Sequence, residues 1–338
     1  MRAARVDQMG LENLALVELP DPAPGPGEVL VAMKAASLNY RDLLAVKGGY
    51  GSMQKQEKLI PLSDGAGEIV AVGEKVRGWK VGDRVISCFF PDWQAGPLRM
   101  ECVGTDLGGR FDGVAAEKRV FRQDALVKLP DNLSYLEGAS LPCAAATAWN
   151  AVIEKGGVGP GHRVLTQGTG GVSLFALQFA VMAGAEVYAT SSSPEKLDLL
   201  KTLGARHVFN YKEDQAWGAS VQKATRGLGI DVAVEIGGAE TLKQTMRAMT
   251  LGGTIAMVGV VTGAKAELNV PIVAMQETRI EGVTAGSRAS LQRLVDAISR
   301  SGVKPVIDQR VFTLETLREG LEYLASGKHV GKVCVEIG

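Results

Sequence analysis

From residue 163 onward, short apolar runs begin near Arg163, Glu186, His207, Ile230, Gly253 and Thr278, and the stretches between them carry helical spacing. The starts lie 21 to 25 residues apart. Such an interval holds one strand and one crossover helix, the connection that parallel strands require. The pattern therefore predicts an α/β unit built on a doubly wound parallel sheet of six strands. The first intervening helix, "SLFALQFAVMAG", is apolar on nearly every side, as expected of a helix covered on several faces. The next, "PEKLDLLKTLGA", has defined ends: Ser193 can cap it, Pro194 suits its first turn, and Gly204 can close it in a left-handed conformation.

The first third of the chain reads differently. "EVLVAMKAASL", "GAGEIVAVGE" and "DRVISCFF" are short, rich in Val and Ile, and bounded by Gly, Pro and Asp, as in a compact barrel or sandwich. The texture changes near residue 134, where "SYLEGASLPCAAATAWNAVIEKG" becomes helical. These changes predict a β domain over 1–128, the parallel-sheet domain over 129–286, and a tail over 287–338. The tail carries two helices and two strands and is expected to return to the β domain.

Composition excludes several classes of protein. The 338 residues are 46% hydrophobic and 22% charged, suiting a globular chain of about two domains. The 37 basic residues equal the 37 acidic ones, so no summed field favours nucleic acid or an anionic membrane surface. No apolar run reaches the roughly 18 residues of a spanning helix, and the N-terminus lacks a signal-peptide pattern. Cytoplasmic location is expected. Cys88, Cys102, Cys143 and Cys334 are scattered, which fits buried free thiols better than a disulfide framework.

The chemistry concentrates at the first strand-to-helix turn. The strand "RVLTQ" runs into Gly168-Thr169-Gly170-Gly171-Val172-Ser173 and directly into a helix, the context a dinucleotide fingerprint requires. Gly168 permits the tight turn and Gly170 admits a pyrophosphate. Gly171 and Val172 open the helix whose free N–H groups and dipole favour the anion. Ser173 stands where the third glycine of the fingerprint would be. At the end of the second strand an NAD-selective site carries Asp or Glu toward the ribose 2′-hydroxyl. Here Thr190, Ser191, Ser192 and Ser193 occupy that end and Lys196 follows. Hydroxyl donors and an ammonium suit a 2′-phosphate, so NADPH is the expected cofactor. Ser193 alone is equally a plain helix cap.

Taken together, "PGPGEVLVAMKAASLNYRDLLAVKGGY", "GAGEIVAVGEKVRGWKVGDRV", "LPCAAATAWNAV", "GTGGVSLFALQFA", "TSSSPEKL" and "SGKHVGKVCVEIG" resemble the medium-chain dehydrogenase/reductase superfamily over essentially the whole chain. The resemblance is greatest to its zinc-independent quinone-oxidoreductase-like branch. It implies a GroES-like β domain beside the Rossmann domain, with the active site in the cleft between them. Zinc-dependent relatives hold their metal at positions that read Asn39, Ser63 and Cys143 here. One ligand of three makes no tight zinc site, so no metal is expected.

Without a Lewis acid for alcohol oxidation, the resemblance implies hydride delivery to a conjugated acceptor, a quinone or an α,β-unsaturated carbonyl. Tyr50 matches the position of a proton-donating tyrosine in enoyl-thioester reductases of the superfamily; it can also simply shape a pocket rim. Asn39 and Tyr40 match positions that orient the nicotinamide or line the substrate cleft. Thr147 matches a threonine near the nicotinamide, Tyr211 a residue beside the adenosine phosphate, and Gly259 closes the fifth strand near the nicotinamide half. The loop after Cys88, with Phe89, Phe90 and Trp93, is expected either to wall an apolar pocket or to cover a seam. The sixth strand leaves a sheet edge that family members pair across a homodimer axis. Alternatives are a metal-free or weakly zinc-bound alcohol or aldehyde oxidoreductase, and a non-catalytic NADPH-binding protein.

Overall fold

The computed structural model describes all 338 residues. It contains two compact units, Met1–Ala146 with Ala285–Gly338, and Thr147–Thr284.

The first unit is the GroES-like β domain. Its main sheet runs in the order Ile307–Thr313, Lys332–Glu336, Glu28–Ser37, Asp64–Val72, Arg84–Ser87, Leu126–Lys128, and Lys118–Arg122 also pairs with Glu28–Ser37. The central strand Glu28–Ser37 buries Val29, Val31 and Met33 in alternation, as a period of two demands, and then buries Ala35, Ala36 and Ser37 consecutively. At that small-residue end it is flanked on both sides. Ser37 lies opposite Cys334 on one side and opposite Asp64 on the other, both in antiparallel register. Beyond this pairing the Leu38 N–H donates to Val333 O at 2.9 Å, which brings Lys332 close to Asn39 as the chain leaves the sheet.

The tail belongs to this unit's core. Phe312, Leu317, Leu321, Val333 and Val335 pack in one cluster with Val29, Val31, Ile69 and Leu126. The first unit also continues past residue 128, to Ala146. The reason is local packing: helix Tyr135–Ala139 lies against Glu28–Ser37 and Asp64–Val72, Ser37 donates to Ala139 O at 2.8 Å, and Arg84 donates to Leu133 O at 2.6 Å. From Tyr135 to Lys155 the chain stays helical, but Leu141–Ala145 and Asn150–Lys155 are wound as π-helix on either side of Ala146–Trp149. The aromatic loop forms a satellite core, with Phe89, Phe90 and Trp93 buried against Cys102 and Ala285 and meeting edge to face at 4.6 and 6.1 Å.

The second unit is the Rossmann sheet. Its six strands are parallel in the order His207–Asn210, Glu186–Ser191, Arg163–Gln167, Ile230–Glu235, Met249–Met257, Arg279–Gly282. The order reverses direction beside Arg163–Gln167, the first strand, which places the glycine turn at the switch point of the sheet. Helix Gly171–Met182 buries most of its length, including Phe175, Leu177 and Phe179. Ser193 caps Pro194–Thr202 by accepting from the Lys196 N–H, and Gly204 follows with φ +105°. The fifth strand begins at Met249, four residues before the expected Gly253, through a register shift between Ile230 and Val232.

One close approach in the first unit gives a stability test. A Cβ on Gly67 would stand 2.2 Å from Ala32 O and 2.7 Å from Val31 Cγ1, whereas a Cβ on Gly104 would meet nothing within 4 Å. Gly67→Ala is expected to destabilise the fold by about 1–3 kcal/mol, and Gly104→Ala to leave it nearly unchanged, as read by the denaturation midpoint.

Candidate functional site

In the second unit, strand Arg163–Gln167 delivers the chain to Gly168, whose φ of +79° only glycine adopts without strain. The Gly168 N–H donates to Thr190 O at 2.7 Å, tying the turn to the end of the neighbouring strand. Gly170 has an ordinary φ of −76°. Neither its backbone nor any nearby atom demands glycine, since an added Cβ would meet nothing within 4 Å. Open space over a backbone that ends a helix N-terminus is what an approaching pyrophosphate needs. Gly171 and Val172 form the first helical turn, where N–H groups lack intrahelical partners.

Ser173 resolves the departure from the fingerprint. It is 2% exposed and its hydroxyl donates to Gln167 O at 2.6 Å. The hydroxyl thus satisfies the last carbonyl of the strand and does not face a ligand. The Gln167 side chain in turn links two strand ends: Nε2 donates to Glu235 Oε2 at 2.8 Å and to Thr245 Oγ1 at 2.7 Å. Fully buried Glu235 also accepts from Gly238 N–H at 2.9 Å and from the hydroxyls of Thr241 and Thr245. Gly259 belongs to the same frame, because a Cβ there would lie 2.3 Å from Ile236 O.

At the end of the second strand, Thr190 and Ser191 are buried and Ser192, Ser193 and Lys196 are partly exposed, with no carboxylate among residues 190–193. Tyr211 is exposed and its N–H donates to Ser191 O at 3.0 Å, so it borders the serine run. Thr147 is buried in the short α-helical turn between the two π segments.

The first unit gathers a second set of groups. Asn39 precedes helix Tyr40–Val46, and Asp42 reaches back to accept from the Asn39 N–H at 2.8 Å. Lys332, 2% exposed, donates to Leu38 O at 2.8 Å and to Asn39 Oδ1 at 2.5 Å and stands 3.9 Å from Asp64 Oδ2. Asp64 is fully buried and accepts from Ser63 Oγ at 2.6 Å and from the Cys143 N–H at 3.0 Å. Asn39 Nδ2 is buried without a partner, at a cost of about 1–3 kcal/mol for a polar group left unsatisfied.

Arg41 joins this cluster to Tyr50. It donates to Leu107 O at 2.8 Å and to Asp42 at 3.2 Å and pairs with Asp106. Its guanidinium lies 5.7 Å over the Tyr50 ring and 5.2 Å over that of Phe89. Burial works against the Arg41 charge, but Asp42 and Asp106 outweigh it and raise its pKa. Burial raises Asp42, with Arg41 opposing. Tyr50 is also raised, chiefly by burial, against the pull of Arg41. Burial pushes the Cys143 thiol well up, and Asp64 adds to the shift. Tyr40 is about half exposed on the same helix.

Of positions 39, 63 and 143, two carry side chains that are not usual zinc donors. Asn39 gives its oxygen to an ammonium and Ser63 gives its proton to a carboxylate, whereas zinc takes thiolate, imidazole or carboxylate. No group of three or more His, Cys, Asp or Glu side chains is placed to hold a metal. Sequence reading missed Lys332, Asp64, Arg41 and Asp106. A signal existed for the first two: each is a charge among apolar and small residues of a strand segment, "VGKVCVEIG" and "PLSDGAGEIV", although no local signal gives their pairing.

The zinc-binding dehydrogenase family matches residues 171–300, and the alcohol dehydrogenase GroES-like domain matches residues 25–131. A zinc-type alcohol dehydrogenase-like protein of Schizosaccharomyces pombe is 43% identical, over 92% of this chain and 91% of that one. An acryloyl-coenzyme A reductase of Sulfurisphaera tokodaii is 28% identical, over 96% and 97%. The crystal structure of an NAD-dependent alcohol dehydrogenase superposes over the full length of both chains with a TM-score of 0.92 at 34% identity. Fold, glycine turn and these matches together define a nicotinamide-dependent oxidoreductase. The chain belongs to the medium-chain dehydrogenase/reductase superfamily.

The space over Gly170 sets a test of the cofactor site. Gly170→Val is expected to weaken binding of the reduced nicotinamide cofactor by about tenfold or more while leaving the denaturation midpoint unchanged; fluorescence titration of the cofactor measures the first.

Proposed function

We propose that this protein is an NADPH-dependent oxidoreductase that transfers hydride to a quinone or an α,β-unsaturated carbonyl without a catalytic zinc ion. The observation that carries this reading is Lys332. Its ammonium stands among Leu38 O, Asn39 Oδ1 and Asp64, so Asn39, at one of the positions that bind metal in zinc-dependent relatives, already faces a side-chain cation. A conjugated acceptor needs no Lewis acid of a metal's strength, because its own π-system spreads the charge that hydride addition creates.

When bound, the cofactor supplies the hydride. Gly168, Gly170, Gly171 and Val172 would hold its pyrophosphate, with Thr147 and Gly259 toward the nicotinamide. Ser191, Ser192, Lys196 and Tyr211 would surround the adenosine 2′-phosphate. On the first unit, Asn39 and Tyr40 would contact the reacting groups. Tyr50 would release its phenolic proton to the acceptor, regaining one from water. Its raised pKa keeps the phenol protonated throughout the neutral range, as a proton donor requires. The reductase activity in the Sulfurisphaera tokodaii relative's name supports an activated alkene as acceptor.

The names of the zinc-type relatives favour a second reading, alcohol oxidation with zinc. Stoichiometric zinc that survives dialysis, and whose removal abolishes turnover, would decide for it. A homodimer is also proposed: Arg279–Gly282 is an edge strand with all four residues exposed, and Ile272, Met275 and Ile280 are exposed near it. No helix is long and apolar enough to cross a membrane, which accords with the cytoplasmic location proposed for the enzyme.

Steady-state oxidation of NADPH against quinones, enals, enoyl thioesters and simple aldehydes tests the proposal, with turnover expected only for the conjugated acceptors. Lys196→Ala should raise KM for NADPH about tenfold and leave that for NADH unchanged. Tyr50→Phe should lower enone turnover by about a hundredfold and quinone turnover much less. With Tyr50 present, enone turnover should fall only above the ordinary tyrosine range near pH 10, and that alkaline limb should vanish in Tyr50→Phe.

A further inference from the structure

We infer that Lys332 is a positioning residue: it fixes the side-chain amide of Asn39 so that Nδ2 is presented as a polarised donor to a carbonyl oxygen of the reacting pair. Lysine has donors and no acceptor, so the group that faces it at 2.5 Å must be the amide oxygen. The orientation of Asn39 is thereby forced. Its Nδ2 is turned away from the ammonium, in a side chain about nine-tenths buried, and has no partner within the protein.

Two anchors hold the amide in place. The Asn39 N–H is bound by Asp42, and the Lys332 ammonium is itself fixed by Leu38 O and Asp64. Binding an ammonium at the amide oxygen draws electron density from nitrogen and strengthens its N–H as a donor. A preoriented, strengthened donor is suited to an oxygen that gains negative charge as hydride arrives, the role of an oxyanion hole. The carbonyl oxygen of the hydride acceptor has this chemistry; the nicotinamide carboxamide oxygen, which loses electron density as hydride departs, is the other oxygen such a donor can hold, through binding alone. The inference rests on the hydride-transfer reading above and extends it to a residue far along the chain.

The test is a double-mutant cycle. Because Lys332→Met alone strands the Asp64 carboxylate and Asp64→Asn alone strands the ammonium, the two are changed together as one arm of the cycle, with Asn39→Ala as the other. Each arm is expected to lower kcat/KM by about a hundredfold, and both arms together no further, since Lys332 acts through Asn39. Asn39→Asp in the otherwise unaltered chain retains an oxygen for the ammonium, and so the fold, but lacks the donor; it should lose as much as Asn39→Ala.

NADPH titration by fluorescence separates the two oxygens. An unchanged Kd across the cycle with a fallen kcat assigns the acceptor carbonyl, and a Kd raised in parallel by both arms assigns the carboxamide. Additive losses, or wild-type kinetics in Asn39→Asp, would overturn the inference. Absence of turnover in the unaltered chain with every acceptor would instead count against the hydride-transfer reading. In that case the cycle in NADPH Kd still decides, and a flat or additive Kd overturns the positioning role.

Discussion

The arrangement of the first unit depends on one buried ammonium. Lys332 and Asp64 are both removed from water, and each is tolerable there only because the other, with Leu38 O, Asn39 Oδ1, Ser63 and the Cys143 N–H, compensates its charge. Losing one partner of such a pair costs roughly 3–5 kcal/mol, a large part of the stability of a domain. The strands that carry the two charges flank the same central strand. The ion pair therefore fixes the register of three strands as well as the surroundings of Asn39.

In the second unit the corresponding role falls to a hydrogen-bonded network. Gln167, Glu235, Thr241 and Thr245 bind one another at the ends of two adjacent strands, while Ser173 and Gly168 pin the turn from either side. What remains open is the space over Gly170. A rigid frame around an open backbone leaves little ordering to occur if an anion is bound there, as proposed.

Much of the fold was legible in the sequence because it follows from periodicity. The strand and helix intervals after residue 163 gave the parallel sheet, and Ser193, Pro194 and Gly204 stood at the helix ends as their backbone preferences require. The glycine turn was legible for the same reason. Lys332 and Asp64 were not, since they are 268 positions apart and only strand pairing brings them together. Ser173 was visible as a departure, but its hydrogen bond to Gln167 depends on the geometry of the turn. Arg41 stood next to Asp42 in plain view. Its stacking on Tyr50 and Phe89 requires the loop after Cys88 to fold back, which no local pattern announces.

The return of the tail to the first unit has a consequence for how the chain is made. Asp64 leaves the ribosome 268 residues ahead of the cation it awaits. At about 5–20 residues per second, some tens of seconds pass before Lys332 is synthesised. Through that interval the Asp64 carboxylate must stay hydrated and the central strand lacks one neighbour. The whole of the second unit is synthesised before the strand that carries Lys332, so the surroundings of Asn39 close only after that unit is made.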